Sequence, residues 1–239
     1  MPTQRSQPPA RPFPRSGAVL IPLLLLLLAA DGCGGTKPVE TRVDPATVDP
    51  AHWRVFGRSI KAVTESGQSF VRLGEGKDAG MVWNPALQFS NGDIDVDLRG
   101  RDVAQKSFLG IAFHLVSERE FEVVWLRPFN FVGADSAHHV HAIQYASYPD
   151  YSWATLRDRH PGDFEAAVPP GILAEDWVHL RLSVRGQLVR IYLDHSLTPS
   201  LALQRPGGPA TGAIGFWVGD QSPGDFANLV VRPTSEHAQ

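Results

Sequence analysis

Three aspartates alternate along Asp93-Ile94-Asp95-Val96-Asp97. On a strand, side chains two apart project the same way at intervals of about 6.5–7 Å. Paired carboxylates at such spacing can divide general-acid and general-base work on a glycosidic bond. Asp95, Asp97 and His114 are the residues able to move a proton there. A calcium loop of the EF-hand type is excluded, because Leu98 and Ala104 stand where it needs glycine and glutamate. The plainer alternative is a solvated polar face with Arg99 and Arg101 as neighbours.

A second group could bind rather than react. Arg127-Pro128-Phe129-Asn130-Phe131 should end a strand and open a loop, since proline cannot extend a central ladder. The guanidinium of Arg127 and the carboxamide of Asn130 can bracket vicinal hydroxyls or a carboxylate. Alternatively, Arg127 pairs with one of the aspartates at 93–97. Gln144, Tyr145, Tyr148, Tyr151 and Trp153 crowd a strand end and the loop after it. The rings of Trp125, Tyr148 and Trp153 can stack on the apolar faces of sugars while Gln144 reaches their edges. The same aromatics can equally pin a long connection to its domain.

His138-His139-Val140-His141 lies in a stretch, 138–146, that reads as a strand. That would put His139 and His141 on one side at the spacing of two zinc ligands, with a third to come from His114 or an aspartate. Sequence names no such partner, so structural or ligand-bonding histidines are the expectation and no metal is assigned. Asp220 and Asp225 flank a turn that could hold calcium, or they could simply cap it. Phosphate loops, a GxSxG elbow and dinucleotide fingerprints are absent. No cofactor is therefore expected.

These residues must be positioned by strands. From Trp53 onward apolar residues alternate with period two over 53–64, 68–74, 80–89, 92–100, 107–116, 120–129, 138–146, 177–185, 187–194, 199–204, 211–219 and 225–232. Turn sequences such as Ser90-Asn91-Gly92 and Pro206-Gly207-Gly208-Pro209 separate most of them. Only Ser152–Arg159 could wind into a helix. Alternation turns Ile94, Val96 and Leu98 inward, and likewise Leu109, Ile111, Phe113 and Leu115; in 120–129 it allows Val124 and Leu126 inward or, almost as well, the reverse, and the first assignment is taken. Phe108, Gly110, Ala112, His114, Trp125 and Arg127 then share an open face. The expected picture is one sheet carrying acids, histidine, tryptophan and arginine around small residues, and a second carrying dispersed cations. The expected fold is all-β, a two-sheet antiparallel sandwich or jelly roll.

The chain of 239 residues is 43% hydrophobic and 20% charged with a net charge of −3, so no basic footprint points to nucleic acid. Arg5, Arg11 and Arg15 precede GAVLIPLLLLLLAA at 17–30 and then Asp31-Gly32-Cys33. A positive n-region, a short apolar core and small residues after it form a secretory signal over 1–32. Fourteen apolar residues fall short of the ~20 needed to cross a bilayer. The segment before Cys33, the only cysteine, resembles a lipobox, which implies lipidation at Cys33 and a lipid-anchored envelope location, outer membrane favoured, or else secretion. Residues 33–50 read as a tether and 51–234 as one domain.

Several runs together resemble a known group. They are Phe108-Leu109-Gly110-Ile111-Ala112-Phe113-His114, Trp125 through Phe131, Gln144-Tyr145, and Tyr151-Ser152-Trp153 with Leu156-Arg157. Gly215-Phe216-Trp217-Val218-Gly219 and Gly224 through Leu229 complete the set. They resemble bacterial secreted domains of the concanavalin A-like lectin/glucanase superfamily, close to laminin-G-like and 3-keto-disaccharide-hydrolase-type domains. The resemblance implies a carbohydrate ligand; Arg127, Asn130, Gln144 and Trp153 match its motif positions. That superfamily also contains glycosidases and interaction modules, and fold alone does not choose among them. The expectation is an envelope carbohydrate-binding domain, with a glycoside hydrolase or a laminin-G-like interaction module as alternatives.

Overall fold

A computed structural model describes residues 39–132 and 136–234. The signal segment, the lipobox-like residues and Cys33 lie outside the described residues. In chain order the strands are β1 (Thr41–Arg42), β2 (Arg54–Phe56), β3 (Ile60–Glu65), β4 (Gln68–Leu73) and β5 (Gly80–Phe89). Then come β6 (Gly92–Arg99), β7 (Leu109–Ser117), β8 (Glu120–Leu126), α1 (Ser136–His139), β9 (Ile143–Tyr148) and α2 (Trp153–Arg159). The last are β10 (Glu165–Ala166), β11 (Val178–Arg185), β12 (Leu188–Leu193), β13 (Leu201–Gln204), β14 (Gly212–Val218) and β15 (Gly224–Pro233).

Two sheets form. One is ordered β13-β12-β11-β6-β15-β4-β3, with β1 also on β15, and the other β10-β9-β8-β7-β14-β5-β2. Among the described residues the strand pairings are antiparallel, for example β8 with β7 and β9. This is the expected two-sheet sandwich. The inward sets are those the alternation selects. Ile94, Val96, Leu180, Leu182, Val189 and Ile191 face Leu109, Ile111, Phe113 and Val124, each at 0% exposure. Burying each such side chain contributes ~1.5–3 kcal/mol. Trp53, Phe216 and Phe226 continue the layer as a stack with centroids 5.5 and 4.6 Å apart.

Three expectations need correction. The aspartate strand β6 does not share a sheet with β7 and β8; it lies between β11 and β15. Its outer face meets cations: Asp93 pairs with Arg185 at 2.9 Å, and Asp95 with Arg232. Opposite charges across neighbouring strands stabilise that arrangement. Secondly, 138–142 is not strand. Its backbone closes on itself, with the His141 N–H on the His138 carbonyl oxygen at 3.0 Å and Val140 left exposed, so α1 and a turn occupy it and β9 starts only at Ile143. Thirdly, part of the presumed tether is built into the sandwich. Thr41 pairs with Val231, and Val48 is buried behind a turn whose first N–H groups Asp44 caps.

Candidate functional site

The outer face of the β8–β7–β14 region floors a cavity of about 420 Å³. Gly110 decides how that floor is built. It sits opposite Trp125 on β8 and Trp217 on β14, and a Cβ there would lie 1.9 Å from the Val124 carbonyl oxygen. Bare backbone at this position lets the two indoles close over it with centroids 5.1 Å apart. Neither indole N–H has a hydrogen-bond partner within the described protein, although both rings are nearly fully buried. Phe108, Tyr148 and Trp153 complete the aromatic wall. A second hollow of about 470 Å³ adjoins the first, sharing Ala79, Tyr148 and Trp217 and extending past Phe121 and Pro149.

Arg127 ends β8 with its guanidinium over the rings of Trp125 and Phe108, at 5.4 and 5.8 Å. It donates to the carbonyl oxygen of His141 and, at 3.1 Å, to Gln144 Oε1. Gln144 is fully buried and spends its own amide N–H groups on the carbonyls of Tyr145 and Phe164. Its role is therefore to hold Arg127 from below rather than to meet a ligand. Burial above all, then the charge of Arg157, pushes Arg127 well below the usual guanidinium range, to about 10.

Helix α2 supplies the outer wall. Ser152 caps it through Thr155 N–H, and Trp153 and Arg157 stand one turn apart with the guanidinium 5.2 Å over the indole. Arg157 binds Glu165 on β10 through Nε at 2.8 Å and through Nη2. His141 Nδ1 meets the same carboxylate at 2.6 Å, while Arg127 stays 3.9 Å away. Burial opposes ionisation of Glu165, but the Arg157 hydrogen bonds and the surrounding positive charges outweigh it and hold the carboxyl below its usual range. The far rim carries Asp78 and Asp220, joined by a 2.8 Å bond from Asp78 N–H to Asp220 Oδ1.

Of the residues singled out in the sequence, Trp125, Arg127, Asn130, Tyr148 and Trp153 line this one cavity, with Gln144 directly behind. Trp217, Arg157 and Glu165 were missed as site residues, and Asp220 was weighed only for calcium. For Trp217 the signal was its parity, opposite Phe216 on β14; for Arg157 it was the four-residue offset from Trp153. His139 and His141 do not come together as ligands: His139 meets the Asn130 carbonyl oxygen at 3.0 Å, while His141 lines the cavity and meets Glu165. Asp225 is bound by Arg72 and Arg99, not left for calcium. Among the described residues, no group of three or more His, Cys, Asp or Glu could hold a metal ion.

The residues chosen for proton transfer do not converge here. His114 is at 0% exposure in a left-handed conformation (φ 47°), with Nδ1 2.7 Å from Glu122 and Nε2 2.8 Å from the Ser90 carbonyl oxygen. Asp95 and Asp97 lie on the outer face of the other sheet and hold His179 at 3.0 and 2.8 Å. Asn228 also donates to Asp97, and the His195 ring stacks on His179 at 4.0 Å.

That cluster carries a pH signature. Hydrogen bonds to Asp95 and then Asp97 raise His179 from 6.5 to about 9. Folding thus favours the imidazolium, a stabilisation complete below 6.5 and lost as pH rises through about 9. The aspartates act at the other end. Burial opposes their ionisation, but the His179 hydrogen bonds prevail and lower both, so their contribution is lost as pH falls below 3.8. The melting temperature should decline by several degrees between pH 6.5 and 9 in the parent protein and stay level over that window in His179→Gln. Equal slopes in the two proteins would refute the assignment.

No protein-family model matches the sequence, and no curated protein matches it significantly. Solved structures do match the fold. The carbohydrate binding module CBM66 from Bacillus subtilis superposes with a TM-score of 0.53 at 11% identity, covering 75% of this chain and 95% of that one. A Bacillus subtilis protein of unknown function with a galectin-like fold gives 0.51 at 13%, covering 76% and 90%. The VIP36 exoplasmic/lumenal domain, bound to Ca²⁺ and Man3GlcNAc, gives 0.51 at 11%, covering 82% and 89%. The chain therefore has the galectin-like, concanavalin A-like sandwich architecture. At such identities the likeness extends to the fold alone.

Proposed function

We propose that this sandwich binds a carbohydrate in the cavity between Trp125, Trp217, Tyr148 and Trp153. The observation that carries the reading is the composition of that cavity. Aromatic faces suited to the apolar side of a sugar ring surround a fixed guanidinium and the Asn130 side chain. CBM66 is by name a carbohydrate binding module, and VIP36 was solved with Man3GlcNAc; both lend support through architecture. Binding is preferred over hydrolysis because Asp95, Asp97 and His114 share no cleft.

The test is calorimetric titration of the processed protein against a broad glycan panel, followed by Trp153→Ala. That indole is 43% exposed, so its loss should shift melting by less than about 2 °C. Stacking worth ~0.5–1.5 kcal/mol predicts roughly 2- to 12-fold weaker binding. A panel without any binding heat would end the proposal. We further propose display at the cell envelope through a lipid on Cys33. Metabolic fatty-acid labelling should mark the protein and vanish in Cys33→Ser; label retained in that variant would exclude the anchor.

A further inference from the structure

We infer that the sugar this cavity takes is acidic, a ring bearing a carboxylate that docks at Arg127. The inference rests on the carbohydrate reading and goes beyond it by naming the class. It begins from a charge imbalance at one end of the cavity. Among the described residues, Arg127 and Arg157 stand there with one carboxylate, Glu165, and Glu165 is already occupied. It accepts from Arg157 Nε at 2.8 Å, from Arg157 Nη2 and from His141 Nδ1 at 2.6 Å. Arg127 reaches it only at 3.9 Å, outside hydrogen-bond distance, and donates instead to two neutral oxygens.

A guanidinium only 7% exposed normally finds a carboxylate partner, because a buried charge without one is costly. Here the ion pair with Glu165 at 3.9 Å lacks a hydrogen bond, and the depressed proton affinity of Arg127 has burial and Arg157 as its leading causes. The ring faces of Trp125 and Phe108 fix the guanidinium plane, which is the preorganisation that a planar carboxylate needs for fork-to-fork pairing. The opposite rim reinforces the orientation. Asp78 and Asp220 there would repel an anionic group and accept hydroxyls, so an acidic ring enters with its carboxylate toward Arg127.

The experiment titrates the processed protein with D-glucuronate and D-galacturonate, their methyl esters, D-glucose, D-galactose, glucose 6-sulfate and benzoate. At least one uronate should bind at least tenfold more tightly than its neutral counterpart, lose that margin on esterification, and weaken as salt rises. Arg157→Gln frees Glu165 to neutralise Arg127 and should abolish most of the margin. Neutral sugars binding as tightly as uronates would overturn the inference and leave the carbohydrate reading intact. Preference for the sulfate ester would overturn the carboxylate assignment. Binding of benzoate alone, or of nothing, would bring down both readings.

Discussion

Glu122→Gln should melt about 6–20 °C below the parent protein. Glu122 lies on the inner face of β8, opposite Phe113, at 0% exposure. Arg205 donates to it through Nε at 2.9 Å and through Nη2, and His114 Nδ1 stands 2.7 Å away. The Tyr145 hydroxyl donates as well; burial first, and then the Glu122 charge, keep that phenol protonated. The carboxylate thus sits between the sheets with its lone pairs taken. An amide of the same shape leaves Arg205, itself 4% exposed at the side chain, without its counter-charge. Breaking one side of a buried pair costs ~3–5 kcal/mol. In a domain of this size each kcal/mol moves melting by about 2–4 °C. Glu122→Leu combined with Arg205→Met removes both charges and should cost less than Glu122→Gln alone. A drop under about 2 °C in Glu122→Gln would show that the network holds nothing.

The same network explains what the sequence made legible and what it hid. Period-two alternation identifies inner residues wherever a strand runs unbroken, which is why the inward set of β6 could be read directly, while on β8 the two faces were nearly matched. At His114 the count fails. Ala213 and Gly215 on β14 pair with Leu115 and Ala112, so β7 carries one extra residue in a bulge. Counting by twos from Ala112 puts His114 on the open face, whereas the bulge delivers it to Glu122. Sheet membership was hidden for another reason. Alternation says which side of a strand is apolar and not which strand lies beside it, and residues 100–108 carry the chain from one sheet to the other between β6 and β7. The cavity was readable where its residues are contiguous, from Trp125 to Asn130 and from Gln144 to Trp153. Glu165 arrives through a two-residue strand, β10, too short to leave a pattern.

Arg127→Met should separate binding from stability. The depression of Arg127 from 12.5 to about 10 corresponds to roughly 3 kcal/mol against the charged form in the folded state. A group whose proton is held less tightly after folding penalises the fold at every pH below about 10, with relief only as pH climbs toward 12.5. Methionine removes that penalty uniformly across the neutral range while keeping an unbranched apolar stem against Trp125 and Phe108. What it forfeits are the bonds to the His141 carbonyl and to Gln144, about 0.5–1.5 kcal/mol each, plus some cost for the stranded Gln144 oxygen. Gain and loss nearly cancel, so melting should stay within about 4 °C of the parent, by the same scaling of degrees to free energy. Ligand affinity has no such compensation. Losing a desolvated, hydrogen-bonded charge at the centre of a site costs ~2–5 kcal/mol, at least about 30-fold. Calorimetry and thermal denaturation on the same preparation decide the matter. A variant that melts far below the parent yet binds normally would make Arg127 a strut of the 127–142 connection and move the binding site elsewhere.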